Sequence, residues 1–399
     1  MLTRSFRSGY IDLGAEPQRL PMFDALRAAA AMLVFVFHYS GVVSPLTNGR
    51  EWIDTAEWLA ASLGSLGTNL LLLLSGYFVA QSMARGKAGY VRFVRLRLTR
   101  IYVPFLLVVA TCLVFSAVWP KYSRVHWTDL TWTDLLSQLL LLPGLFPERP
   151  ILTVTWTLSY IVAGYLLFPV VFLVLRRVDA GRRLRIGVWA AVVAGCFSAG
   201  TAGLFNTRFT YIPMGCLLCE LVMSRKPEWK SRVFLLRGVV LAGAFALGAR
   251  IVLDGRLVDV ADPYLYRALF SGSGLATVSS AIAAGLILQQ RYDLRRLIPG
   301  LTRIAAFGRT GYSFYLLHGA VVKLFAVILL PVMTGWRAPA VAYWLAMPVC
   351  WAVAALAAAV LYLRVELPLR DAGGSVWRSA PLLDGRRGSE DDFVLRGVA

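Results

Sequence analysis

The first long apolar run of the chain carries an arginine and a histidine eleven residues apart. Arg27 and His38 lie in "FDALRAAAAMLVFVFHYSG", residues 23–41. A helix turns about 100° per residue, so this spacing places both side chains on one face, about 16 Å apart along the axis. Ionisable groups inside apolar spans usually face the protein interior and mark function. His38 is therefore a candidate general base, with an interhelical hydrogen bond for His38 and snorkelling for Arg27 as the alternatives.

Other polar side chains near these two could support the same chemistry. Asp24 precedes Arg27 by three residues, a spacing at which the two side chains can pair on one helix. His318 lies within the late apolar run "GYSFYLLHGAVV", where it is either a supporting residue or a hydrogen-bonded interhelical histidine. Hydroxyls at Ser75 and Ser313, and also at Tyr312, could donate hydrogen bonds to a developing oxyanion. The five cysteines lie in apolar runs, and Cys216-x-x-Cys219 has no second pair and no nearby histidine, so no metal site is predicted.

A basic segment, "RFVRLRLTR", is the second candidate for chemistry. On a helix, its apolar side chains fall on one side and its arginines on the other. Such a helix could lie on anionic lipid headgroups. It could also bind the phosphates of a substrate, since the guanidinium group matches phosphate geometry. The arginines of this segment are Arg92, Arg95, Arg97 and Arg100.

Composition indicates what kind of protein holds these residues. The chain has 399 residues, of which 58% are hydrophobic and only 16% charged, whereas soluble domains have about 25% charged residues. Many apolar runs reach the roughly 20 residues that cross a hydrocarbon core. The sequence therefore predicts an all-α polytopic membrane protein with about ten transmembrane helices, at 23–43, 63–84, 101–119, 155–175, 185–203, 209–224, 233–252, 265–289, 305–331 and 340–363.

The distribution of positive charge predicts the orientation of these spans. With the N-terminus in the cytoplasm, most of the 41 Lys and Arg residues fall on cytoplasmic segments. Both termini are therefore expected in the cytoplasm, and the net charge of +19 is explained without a nucleic-acid partner. The predicted organisation is a cytoplasmic segment at 1–22, a membrane domain at 23–366 and a cytoplasmic, disordered tail at 367–399. Residues 120–154 form the longest outer segment, and "TDLTWTDLLSQLLLLPGL" within it is expected to be an interfacial or re-entrant helix.

The motifs together resemble those of the acyltransferase-3 family of integral membrane O-acyltransferases. The family's opening signature, "LDGLRGxAALxVxxxH", is similar to residues 23–41, with Arg27 and His38 at the matching positions. Four further segments resemble family motifs in the same order: "GTNLLLLLSGYFV", "RFVRLRLTRIYVPF", "TWTLSYIVAGYLLFP" and "GRTGYSFYLLHGAVV". Ile161 stands where the family usually has a glutamate, and Asn69 where it has an aspartate.

The resemblance implies a reaction and a location. It implies transfer of an acyl group, most often acetyl, from cytoplasmic acyl-CoA to a hydroxyl of an extracytoplasmic or lipid-linked saccharide or glycoconjugate. Acetyl-CoA would be the donor, membrane lipids the surroundings, and a bacterial-type inner membrane the location. His38 would serve as general base or as an acyl relay, with Arg27 orienting the donor or the helix. The rival interpretation is a secondary transporter or flippase for a lipid-linked saccharide, based on the span number and the intramembrane charge.

Overall fold

The structure of the chain is a computed structural model, which describes most of the predicted membrane domain. The described residues are 21–43, 51–84, 89–118, 127–146, 150–152, 154–223, 301–333 and 339–370. Over these ranges the secondary structure is helical and no strand occurs, which confirms the all-α prediction for this part of the chain. The predicted spans at 233–252 and 265–289, the segment 1–20 and the tail from 371 onward lie outside the described residues.

The described part of the chain forms ten α-helices, numbered in chain order, and short 3₁₀ turns at Trp127–Asp129 and Thr207–Thr210 connect some of them. The helices are α1 Pro21–Val43, α2 Glu51–Ala84, α3 Tyr90–Val118, α4 Trp132–Leu139, α5 Thr155–Arg177, α6 Arg182–Thr201, α7 Tyr211–Met223, α8 Leu301–Arg309, α9 Gly311–Met333 and α10 Pro339–Leu361.

Six of the described helices are long and apolar enough to cross a membrane: α1, α2, α3, α5, α9 and α10. They coincide with six of the ten predicted spans. The predicted spans at 185–203 and 209–224 form α6 and α7, which are not among the six. The first turn of α6 is strongly basic, and α7 is described over 13 residues, up to the last described residue of this part of the chain.

Helix α3 joins the basic segment to a span without a break. The sequence suggested a surface helix followed by a span from residue 101, but Tyr90–Val118 is one helix of 29 residues. The segment contains no glycine, and its internal Pro104 removes only the hydrogen bond to the carbonyl of residue 100. The arginines of the basic segment are thereby fixed to a membrane-crossing helix.

The predicted span at 305–331 is two helices rather than one. α8 ends at Arg309 and α9 begins at Gly311, with Thr310 at the junction. The Thr310 hydroxyl donates to the carbonyl of Phe307 (2.8 Å), a bond that satisfies one of the free carbonyls at the end of α8. The break lets α8 lie against α1, where Gly308 meets the backbone carbonyl of Asp24 so closely that a Cβ atom would collide with it.

Small residues bring the central helices together. Gly76 of α2 lies against the backbone of Ile212 in α7, and Gly215 of α7 lies against the backbone of Leu73, so neither position has room for a Cβ atom. Close backbone approach at small residues is a common way for membrane helices to associate. A second apolar cluster, which includes Phe35, Phe314 and Cys350, packs α1 against α9 and α10.

Helix α4 buries two polar side chains and exposes several apolar ones. Ser137 and Gln138 are buried, and the Gln138 side-chain oxygen accepts a hydrogen bond from the Ile151 backbone N–H (3.2 Å). Trp132 and Leu136 are 87% and 54% exposed. Thr131 and Asp134 form a capping box at its start. This confirms a helix in the segment, and its interfacial or re-entrant placement stays a prediction.

Candidate active site

A cavity of about 410 Å³ opens among α1, α2, α3, α5, α8, α9 and the end of α10. Its walls mix aromatic and apolar side chains with charged ones, as is usual for small-molecule sites. Two carboxylates, Asp24 and Glu366, are among the lining residues. Five arginines also line it: Arg27, Arg97, Arg100, Arg309 and Arg370. The cavity is therefore positively charged and suited to an anionic ligand.

Arg27 is held at the cavity wall by two neighbours. Its guanidinium donates to the Asp24 carboxylate (2.7 Å), which is the pair expected from the spacing. It also lies over the ring of Phe78 in α2, 4.4 Å from the ring centre, a distance typical of a cation–π contact. Asp24 and Phe78 together fix the direction in which Arg27 points.

The four arginines of the basic segment separate into two pairs. Arg97 and Arg100 line the cavity, whereas Arg92 and Arg95 are not among its lining residues. Arg97 donates to the Ser82 hydroxyl (3.2 Å) and lies over the ring of Tyr165 at 5.5 Å. This separation follows from the helix: Arg97 and Arg100 are three residues apart and share a face, while Arg95 is on the exposed side.

The hydroxyls considered as oxyanion donors all have partners. Ser75 lines the cavity, and its hydroxyl donates to the carbonyl of Leu71 in the preceding turn (2.9 Å). Ser313 is buried and donates to the Glu366 carboxylate (2.9 Å). Tyr312 donates to the backbone carbonyl of Ile101 (2.7 Å). Ser313 and Tyr312 thus hold α9 against neighbouring elements.

Glu366 is a site residue that the sequence analysis missed. It is buried and lies at the end of a π-helical turn, Tyr362–Glu366, which continues α10. A π turn inserts an extra residue into the helix and often occurs at functional sites. Arg370 follows one turn later and lines the same cavity. The available signal in the sequence was an acidic residue directly after the last apolar run. The π turn that contains Glu366 cannot be predicted from that signal.

His38 and His318 come together at the contact of α1 with α9. Their ring centres are 5.1 Å apart. His318 is completely buried, and its Nδ1 lies 3.1 Å from the carbonyl of Phe314. His38 is half-buried, and Lys323 of α9 is its charged neighbour. Neither histidine is among the residues that line the cavity.

Tyr315 separates the cavity from His318, and His38 lies next to His318. Tyr315 lines the cavity, and its ring centre is 5.7 Å from that of His318. Its hydroxyl donates to Thr157 of α5 (2.8 Å), which also lines the cavity. Ile161, at the position of the family's usual glutamate, lies one turn further along α5 on the same wall. The sequence did not indicate roles for Tyr315 and Thr157, because both lie among apolar residues with ordinary helical spacing.

A protein-family model described as an acyltransferase domain, Acyl_transf_3, matches residues 21–361. The chain belongs to the acyltransferase-3 family. Acyltransferase MdmB of Streptomyces mycarofaciens is 28% identical over 323 residues, which cover 76% of this chain and 79% of that protein. No solved structure matches.

Membership of the acyltransferase-3 family decides the class of protein. The matched region runs from the start of α1 to the end of α10, so it includes both histidines and the arginines of α1, α3 and α8. Together with the six apolar helices, it makes the chain a membrane acyltransferase. The transporter interpretation receives no support from the comparisons. Glu366 and Arg370 follow directly after the matched region and complete the same cavity.

Proposed function

We propose that this acyltransferase moves an acetyl group from cytoplasmic acetyl-CoA to a hydroxyl of an extracytoplasmic or lipid-linked saccharide or glycoconjugate. The observation that carries the proposal is the placement of an arginine-lined cavity beside a pair of histidines, with only Tyr315 between the cavity and His318. Acyl transfer from a CoA thioester needs a site that binds the anionic donor and a group that accepts the proton of the acceptor hydroxyl. The bacterial-type inner membrane remains the proposed location.

The donor's phosphates are assigned to the arginines of the cavity. Arg97 and Arg100 face it from α3, Arg309 faces it from the end of α8, and Arg370 faces it from beyond the π turn. Guanidinium groups bind phosphate oxygens through two parallel hydrogen bonds, so several arginines around one cavity suit a ligand with several phosphates. A cavity of about 410 Å³ also lies within the usual range of small-molecule sites, roughly 300–1,000 Å³.

His38 is the proposed group that handles the proton. In direct transfer, a ring nitrogen of His38 takes the proton of the acceptor hydroxyl while the hydroxyl oxygen bonds to the thioester carbonyl carbon. The carbon–sulfur bond then breaks, and the departing thiolate takes the proton back from His38. In the relay variant, a ring nitrogen of His38 bonds to the thioester carbonyl carbon, the carbon–sulfur bond breaks and CoA leaves as the thiolate. The acceptor oxygen then bonds to the acyl carbon, the carbon–nitrogen bond to His38 breaks, and the hydroxyl proton ends on the CoA thiolate.

Substitution of His38 tests this assignment. In the full-length protein, we expect His38→Ala to lower transfer of ¹⁴C-acetyl from acetyl-CoA into membrane-extracted saccharide and lipid fractions by at least about 100-fold, since a positioned acid–base group contributes about 10²–10⁴-fold. Binding of acetyl-CoA should stay within about twofold, because His38 does not line the cavity.

Two outcomes of this experiment contradict the proposal. If folded His38→Ala transfers label at the wild-type rate, His38 is not the acid–base group. If the wild-type protein neither binds acetyl-CoA nor moves label from it into any fraction, the donor assignment is wrong. Cells with and without the chain provide the background, and the fraction that loses label identifies the chemical class of the acceptor.

A further inference from the structure

His318 has one nitrogen with a partner and one without. Its Nδ1 lies 3.1 Å from the carbonyl oxygen of Phe314. A carbonyl oxygen only accepts hydrogen bonds, so Nδ1 carries the proton, and in a neutral imidazole the lone pair is then on Nε2. Nε2 is buried and has no hydrogen-bond partner among the described residues. A buried acceptor without a donor is costly, so this nitrogen needs an explanation.

His38 is the polar group placed to supply that donor. The two ring centres are 5.1 Å apart and the rings are tilted by 47°. Two imidazoles joined by an N–H···N hydrogen bond have centres about 5 Å apart, because the two nitrogens are about 3 Å apart and each lies about 1 Å from its own ring centre. The observed centre distance matches this arrangement, in which the half-buried His38 ring turns to direct an N–H at Nε2 of His318.

The surroundings of His318 keep its lone pair in place. Its ring stacks on Phe314 with centres 5.8 Å apart and an angle of 13°, and Tyr315 packs against it from the cavity side. Together with the bond from Nδ1, these contacts fix the ring of His318 while that of His38 stays partly exposed. Among the described residues, Lys323 from the same helix as His318 is the charged neighbour of His38.

We propose that His318 is a positioning residue for the catalytic histidine. Its Nε2 accepts the N–H of His38, and this bond fixes the tautomer of His38 so that the other ring nitrogen presents its lone pair to the acceptor hydroxyl. The bond strengthens when His38 becomes positively charged, because hydrogen bonds from charged donors are stronger. This inference rests on the proposed role of His38, and it gives α9 the orienting task that a carboxylate performs in other acid–base pairs.

Asparagine and glutamine at position 318 separate positioning from packing. The amide nitrogen of asparagine can take the place of Nδ1 and keep the bond to Phe314, but asparagine has no acceptor at the place of Nε2. Glutamine reaches further and can place its amide oxygen near the position of Nε2. For the full-length protein in membranes with ¹⁴C-acetyl-CoA, we expect His318→Asn to lower kcat about 10- to 100-fold with an unchanged KM for acetyl-CoA, and His318→Gln to retain kcat within about tenfold of the wild type.

A purely structural role predicts the opposite order. If His318→Asn is as active as the wild type, or if His318→Gln is the less active of the two folded variants, the positioning role is wrong. His38→Ala is measured in the same series: if it lowers transfer at least about 100-fold while His318→Asn keeps the wild-type kcat, this inference fails and the proposed function stands. If folded His38→Ala remains fully active, the proposed role of His38 is wrong, and the inference about His318 fails with it.

A spectroscopic measurement tests the tautomer of His318 in the wild-type protein, with folded His38→Ala as the comparison. The chain has three histidines, so ¹⁵N-histidine labelling of the full-length protein gives only six ring-nitrogen signals. We expect one histidine to carry its proton on Nδ1, with an Nε2 signal that shifts in His38→Ala. Three histidines that all carry the proton on Nε2, or an Nε2 signal that is unaffected by His38→Ala, would overturn the proposal.

Discussion

At the scale of single residues, Arg100 and Arg95 have the same side chain but different surroundings. Both belong to the basic segment of α3, but Arg100 lines the cavity and Arg95 is exposed. We expect Arg100→Ala to raise the KM for acetyl-CoA about 10- to 100-fold, since a hydrogen bond to a charged group contributes about 1.5–3 kcal/mol. Arg95→Ala should leave it unchanged. Steady-state kinetics of thiol release in detergent check both.

The two variants also separate the two interpretations of the basic segment. If the segment serves only to bind anionic lipid, the substitutions should have similar effects, and the exposed Arg95 should matter at least as much as Arg100. Equal KM values for the two variants would therefore contradict the assignment of the cavity to the donor's phosphates.

At the scale of elements, the approach of α8 to α1 determines where Arg309 lies. A Cβ atom at Gly308 would collide with the backbone carbonyl of Asp24, whereas one at Gly311 would have the Arg27 Cβ as its nearest neighbour, at 3.8 Å. We expect Gly308→Ala to lower stability by about 1–3 kcal/mol, as is typical of overpacking, and to weaken acetyl-CoA binding by moving Arg309. Gly311→Ala is the matched control for stability and should leave the unfolding temperature unchanged, while acetyl-CoA binding is compared between Gly308→Ala and the wild type because Gly311 also lines the cavity.

Thermal unfolding followed by fluorescence-detected gel filtration, with acetyl-CoA binding on the same samples, measures both effects. The break at Thr310 accompanies this approach: α8 lies against α1 at Gly308, while α9 packs against α10. A Gly308→Ala protein that binds and unfolds like the wild type would show that this contact is not needed.

At the scale of the whole molecule, the relative positions of site residues could be predicted from sequence where those residues belong to one helix. Arg27, His38 and Asp24 share α1, so helical geometry was sufficient to relate them. The relation of Arg97 to Arg100 within α3 was predictable for the same reason. The placement of Tyr315, Thr157 and Glu366 was not, because each depends on contacts between helices distant in sequence or on an inserted residue at a π turn. The division of 305–331 was likewise missed, since Thr310 is not a residue that breaks helices by propensity alone.

The arrangement of the two sites along α1 leads to a prediction for the molecule as a whole. Arg27 and His38 are about 16 Å apart along one membrane-crossing helix, and the cavity surrounds Arg27 while Lys323 and the histidine pair lie toward the other end. If the arginine-rich end faces the cytoplasm, as the charge distribution predicts, the impermeant donor should be used from that side only. We expect sealed inside-out vesicles to release CoA thiol from added acetyl-CoA, and sealed right-side-out vesicles to do so only after permeabilisation with detergent. Equal rates in both kinds of sealed vesicle would contradict the predicted orientation. They would also contradict transfer of the acyl group across the membrane, because that transfer requires a donor site that is open to the cytoplasmic side alone.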